Sequence, residues 1–150
     1  MRALGGTFAG ETMFTNEQLA RLNALCAGTL METLGIVFIP SSAEEVAATM
    51  PVGPRVHQPM GLLHGGATVA LAESLGSASS YLLVEPERRG VVGIEVNANH
   101  IRPVRTGTVK AIGRLAHKGR TTHVWDIRIT DDQDVLVALC RITNMIIDRT

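Results

Sequence analysis

The chain has 150 residues, the size of one compact domain whose folding buries about 70% of the surface that the extended chain exposes. Fourteen basic residues balance fourteen acidic ones, so no global field draws the protein onto nucleic acid or an anionic membrane, and an anionic ligand must be met by local charge. The hydrophobic fraction is 45% with few aromatics (three Phe, one Trp, one Tyr), so aliphatic side chains fill the core and aromatic platforms for stacking bases are not expected.

In chain order, the N-terminus is broken by Gly5, Gly6, Gly10 and Glu11 and lacks a signal-peptide core. No apolar run reaches the ~20 residues of a membrane-spanning helix, so a cytoplasmic protein is expected. Thr15-Asn16-Glu17-Gln18 fits a capping box ahead of Leu19, Leu22 and Leu25, which predicts a peripheral helix from Asn16 to Ala27. A short helical stretch from Leu30 to Leu34 follows. Ile36 to Ile39 and Glu45 to Met50 then read as a hairpin around Pro40-Ser41-Ser42, ended by Pro51 and Pro54.

The segment from Gly66 to about Val84 lacks Pro and is rich in Ala, Leu and Ser, as a helix requires. Its small residues, Ala67, Ala70, Ala72 and Gly76 to Ser80, give a slim helix suited to close wrapping by a curved sheet. Beyond Gly90 the period changes to two, and four strands are expected: Val91 to Ile101, Val109 to His117, Thr121 to Thr130 and Val135 to Ile147. The breaks at Pro103 and Gly107, at Lys118-Gly119 and at Asp131 to Asp134 are short, which predicts antiparallel neighbours in a meander. The whole is a single α+β domain over 1–150, with residues 1–30 as an N-terminal helical extension.

Cys26 and Cys140 show no CxxC spacing and read as two reduced, packed thiols. The five histidines include no pair at i, i+4 and no nearby Cys, so neither a structural zinc nor any other metal is expected. Chemistry is concentrated between His57 and Ser77. Gly65 and Gly66 stand at a helix start, where they read either as a flexible turn or as free N–H groups, backed by the helix dipole, for a developing oxyanion. Glu73 is the only acidic residue between Gly66 and Val84, in a helix whose neighbours look buried. It reads either as a carboxylate satisfied by an Arg or a backbone cap, or as a nucleophile or general base. Ser74 and Ser77 follow, and Ser77 shares the face of Glu73, where it is a packing residue or a hydrogen-bond partner of substrate or water.

Eight helical steps separate Gly65 from Glu73, about 12 Å of rise, too far for one reacting carbonyl group to meet both. If both serve one reaction, two such helices antiparallel about a two-fold axis would bring Gly65 of one subunit to Glu73 of the other.

The pattern His57-Gln58-Pro59-x-Gly61-Leu62-Leu63-His64-Gly65-Gly66-Ala67-x-Val69-x-Leu71-Ala72-Glu73-Ser74-x-Gly76-Ser77 resembles the PaaI-like thioesterases of the hotdog fold. It is most similar to 4-hydroxybenzoyl-CoA thioesterases with a helical Glu and to 1,4-dihydroxy-2-naphthoyl-CoA hydrolases. The likeness extends through Val92 to Val104 and the His117 to Trp125 hairpin and covers roughly residues 30 to 147. It implies a long helix wrapped by a highly curved antiparallel sheet, homodimers and commonly homotetramers, and no cofactor. It implies Glu73 as nucleophile or general base and the Gly65 amide as the group that polarises the carbonyl. Gln58 and His64 match residues that orient the thioester or the water, and Ser77 matches a Thr or Ser near the Glu. Arg102-Pro103 and Lys118-Gly119-Arg120-Thr121 match segments that contact CoA, although a basic hairpin turn is also an ordinary solvated turn.

The expected reaction is hydrolysis of an acyl-CoA with an aromatic acyl group of hydroxybenzoyl or dihydroxynaphthoyl type. The alternatives are a thioesterase acting on acyl carrier protein thioesters and a non-catalytic acyl-CoA-binding protein. The intact Gln58, His64, Gly65, Glu73 set argues against the last.

Overall fold

The structure, a computed structural model, describes residues 12–149. The N-terminal glycines and Glu11, which entered the reading of a missing signal core, lie outside the described residues. Two short helices, α1 (Asn16–Leu25) and α2 (Leu30–Leu34), precede the hairpin of β1 (Val37–Ile39) and β2 (Glu45–Val52). The long helix α3 (Gly65–Leu82) follows, then β3 (Arg89–His100), β4 (Gly107–Lys118), β5 (Thr122–Thr130) and β6 (Leu136–Asp148). The strands form one antiparallel six-stranded sheet in the order β1-β2-β4-β5-β6-β3. No helix among the described residues is long and apolar enough to cross a membrane.

The four C-terminal strands are present, but the meander predicted for them begins only at β4. β3 pairs with β6 and stands at the sheet edge, while β4 pairs with β2 and β5. Two strands therefore lie between β3 and β4, a separation of about 14 Å at ~4.8 Å per strand. The six-residue link from Ile101 to Thr106, extended at ~3.3 Å per residue, spans that gap without a hairpin. Short-link logic fails here because length limits reach and does not dictate adjacency.

The capping box of α1 is formed, with Thr15 Oγ1 accepting from Gln18 N and Gln18 Oε1 accepting from Thr15 N. α1 stops at Leu25, earlier than expected, because the chain turns through Gly28 at φ 71°. It lies at the periphery as predicted, with Leu19 and Leu22 buried and Asn16, Glu17, Ala20, Arg21, Ala24 and Leu25 exposed. Register shifts between Gly93 and Glu95, Leu115 and His117, and Ile129 and Thr130 bend the sheet around α3. Cys26 and Cys140 are free and buried, and burial pushes the Cys140 thiol up to about 11, so it stays protonated and unreactive at neutral pH.

The slim girth of α3 is used where it crosses β6. A Cβ on Gly76 would collide with Cγ2 of Ile142, a residue with no exposure. Gly76→Ala gains about 1 kcal/mol of helix propensity but must push fully buried Ile142 aside. Overpacking wins, and a net loss of about 2 kcal/mol is expected as a lower urea midpoint at unchanged m-value.

Candidate active site

The loop before α3 is held by backbone bonds on both sides. His64 N donates to Val56 O at 2.8 Å, Leu63 N to Val104 O at 2.7 Å and Gln58 N to Leu62 O at 2.8 Å. Gly61, at φ 71°, closes the turn, and the Gln58 side-chain oxygen accepts from Met60 N. That bond fixes the Gln58 oxygen, and its amide NH2 is a donor without a partner among the described residues.

His64 is the N-cap of α3. Its Nδ1 accepts from Gly66 N at 2.8 Å, so in the neutral ring the proton sits on Nε2. Its carbonyl accepts from Ala67 N at 3.0 Å and Thr68 N at 3.1 Å. In this first turn the Gly65 N–H alone has no partner among the described residues. It is the unsatisfied donor that a helix start leaves available. The ring of His100, at the end of β3, packs over Gly65, with Nε2 2.9 Å from where a Cβ would stand. Sequence reasoning missed His100. Its only signal was the alternation of β3, which cannot show which helix residue a strand end meets.

Glu73 corrects an expectation, because its side chain is exposed, with neither an Arg partner nor a cap among the described residues. α3 buries one face on the sheet through Leu71, Ala72, Leu75, Gly76, Ser79 and Ser80, while Ala70, Glu73, Ser74 and Ser77 lie on the opposite stripe. Beside Glu73 runs the β3 irregularity. Glu73 Oε1 is 3.2 Å, and Ser77 Oγ 3.8 Å, from the point where a Gly93 Cβ would be. Glycine at 93 thus leaves a small space between a carboxylate and a hydroxyl.

Ser77 is held by a second residue absent from the sequence reading. Its hydroxyl donates to Oδ1 of Asn144 at 3.1 Å, and Asn144 Nδ2 donates to Gly76 O at 3.1 Å and Ser80 Oγ at 3.0 Å. Ser80 Oγ also accepts from Trp125 Nε1 at 2.8 Å. Asn144 has no exposure, and this network satisfies its amide. With its proton committed to Asn144, Ser77 presents lone pairs to the space beside Glu73.

One chain does not gather all the expected groups. Gly65 lies at the His100 end of β3, and Glu73 lies by Gly93. The Lys118-Gly119-Arg120-Thr121 turn sits where Ile146 N donates to Thr121 O, whereas Arg102 N donates to Val137 O. Nine residues of β6 separate these points, about 30 Å at ~3.3 Å per residue, so Arg102-Pro103 and the basic turn occupy opposite ends of the sheet. Lys118, Gly119 and Arg120 line a cleft of about 620 Å³ with Arg88, Arg89 and His123. Burial, and then the charges of Lys118 and His117, hold the His123 imidazole below its usual range, which favours its neutral form.

A second cavity, of about 560 Å³, contains Glu73, Ser74 and Ser77. Its other walls come from α1, α2, Tyr81 and Val91.

The family model of the thioesterase superfamily matches residues 60–138. The 1,4-dihydroxy-2-naphthoyl-CoA hydrolase of Escherichia coli is 44% identical over 129 residues, covering 86% of this chain and 94% of that protein. The proofreading thioesterase EntH of Klebsiella pneumoniae is 45% identical over 124 residues, covering 83% of this chain and 90% of that protein. A crystal structure of a mutant of thioesterase PA1618 from Pseudomonas aeruginosa superposes with a TM-score of 0.86 at 48% identity, over 87% of this chain and 94% of that one. With the helix, the curved sheet and the glycine-rich helix start, these likenesses place the chain in the thioesterase superfamily, as a thioester hydrolase of the hotdog fold.

Proposed function

We propose that the protein hydrolyses an acyl-CoA with an aromatic acyl group, of hydroxybenzoyl or dihydroxynaphthoyl type, and that Glu73 is its general base. The observation that carries the mechanism is the open space at Gly93, flanked by Glu73 Oε1 and the Ser77 hydroxyl. A water there donates one proton towards Glu73 and one towards Ser77, whose own proton is engaged by Asn144. The water oxygen attacks the thioester carbonyl carbon as Glu73 takes its proton. The oxyanion is met by the free Gly65 N–H, and Gln58 and His64 orient the thioester. The tetrahedral intermediate collapses with cleavage of the C–S bond, and the CoA thiolate takes the proton from Glu73, leaving the free acid.

The second subunit comes from the edge of β3. Among the described residues this twelve-residue strand pairs only with β6, and Val92 and Ile94 are exposed on it. A long apolar edge invites pairing. Antiparallel pairing of two β3 edges about an axis between Val96 and Asn97 sets His100 and Gly65 of one subunit opposite Gly93 and Glu73 of the other. The same rotation carries Arg102-Pro103 of one subunit to the Lys118 to Thr121 turn of its neighbour, so the two basic segments form one phosphate-binding surface per site. We include the homodimer, and a tetramer formed from two of them, in the proposal.

Turnover assays with 4-hydroxybenzoyl-CoA and 1,4-dihydroxy-2-naphthoyl-CoA test the reaction, and an absence of hydrolysis of both refutes the substrate class. A second reading is hydrolysis of carrier-protein thioesters, because a carrier and CoA present the acyl group on the same pantetheine arm. Presenting one acyl group on CoA and on a carrier separates the two.

Arg102→Ala and Arg120→Ala are each expected to raise KM about fivefold to tenfold with kcat nearly unchanged, because phosphate contacts bind ground and transition states alike. Both side chains are exposed, so added salt should raise the wild-type KM and erase most of the difference from the variants. Steady-state kinetics at two ionic strengths checks this, and a salt-independent KM counts against the assignment.

A further inference from the structure

We infer that the N-terminal helices α1 and α2 form the acyl-selecting wall of the active site, and that Leu25 and Leu30 determine which thioesters are accepted by contact with a bicyclic aromatic acyl group. This rests on the thioesterase reading of Glu73. The cavity of about 560 Å³ that contains Glu73 runs between the exposed stripe of α3 and the turn joining α1 to α2. Leu22, Leu25, Leu30 and Met31 line one side, and Tyr81 and Val91 line the other. Its volume lies within the range of about 300–1,000 Å³ typical of small-molecule sites, and is more than an acetyl group can fill.

The wall is anchored independently of any ligand. Asn23 replaces a missing strand at the β1 edge, its Nδ2 donating to Phe38 O at 2.9 Å and its Oδ1 accepting from Phe38 N at 2.8 Å. Thr29 caps α2, and the Cys26 thiol lies 3.7 Å from the Met31 sulfur. Leu19 and Leu22 are buried, yet Leu25 and Leu30 remain 63% and 62% exposed at the mouth of the cavity. Two large apolar side chains are thus held rigidly in water beside the reacting carboxylate, where an apolar ligand would cover them. The polar groups within the cavity suit hydroxyl substituents on a ring, since Ser74 and the Tyr81 phenol have no hydrogen-bond partner among the described residues.

The test compares kcat/KM for acetyl-CoA, 4-hydroxybenzoyl-CoA and 1,4-dihydroxy-2-naphthoyl-CoA in the wild type, Leu25→Asp, Leu30→Asp and Leu30→Trp, with Leu139→Asp on β6 as an exposed apolar control that does not line the cavity. The naphthoyl-to-acetyl ratio should fall about tenfold or more in the three wall variants, as an apolar contact is lost or the space is filled, and should hold in the control. A ratio that stays constant overturns the inference, whether or not the separate rates fall. So does a constant ratio accompanied by a smaller oligomer in sedimentation, which would show that a second copy covers the groove. Wild type that cleaves none of the three substrates overturns the substrate reading and this inference together. If the Asp variants fail to fold, Leu30→Trp decides the matter.

Discussion

Glu73→Ala is expected to lower kcat by about three orders of magnitude or more while leaving KM within about threefold of wild type. The magnitude follows from the role: a positioned base contributes about 10²–10⁴-fold, and Glu73 Oε1 is the described atom nearest the point where a Gly93 Cβ would be. KM is spared because the carboxylate acts on water and the reacting carbon, and the phosphates of CoA are held elsewhere. Stability should be nearly unchanged, since Glu73 is exposed and makes no ion pair among the described residues. A urea melt matching wild type, alongside lost turnover, separates a catalytic from a structural effect. Undiminished turnover would remove Glu73 from the mechanism. Glu73→Gln should be equally inactive, because an amide cannot take the proton.

The second large effect is recovery of activity from two inactive parents. Glu73→Ala and Gln58→Ala homodimers should each be nearly inactive. In a dimer with one chain of each kind, one site carries both lesions and the other carries neither, if Gln58 with Gly65 and Glu73 come from different chains. Random pairing makes half the dimers mixed, each with one repaired site, so co-expressed subunits should reach about a quarter of wild-type activity. Verified heterodimers without activity would show that each site is built within one chain. The geometry behind this expectation is the distance of about 12 Å along α3 between Gly65 and Glu73, each facing a different point of β3.

Much of this protein could be read from residue order because the signals are local. The helix cap at Thr15, the Pro-free run of small residues after Gly65, the period-two strands and the helix-start motif each act within a few residues. Hence the α+β class, the long helix and the family were legible, as was the placement of Gln58, His64 and Gly65 together at the entry to that helix. Two things depended on the whole chain. The position of β3 at the far edge of the sheet follows from competition among strands for partners, which no link length reports. The exposure of Glu73 follows from the sheet covering only one face of α3, so a lone acidic residue in an apolar helix, which in sequence resembles a buried charge, faces an open cavity. Asn144 and His100 were silent for the same reason: each looks like an ordinary strand residue until the register of β6 and the path of β3 bring one beneath Ser77 and the other over Gly65.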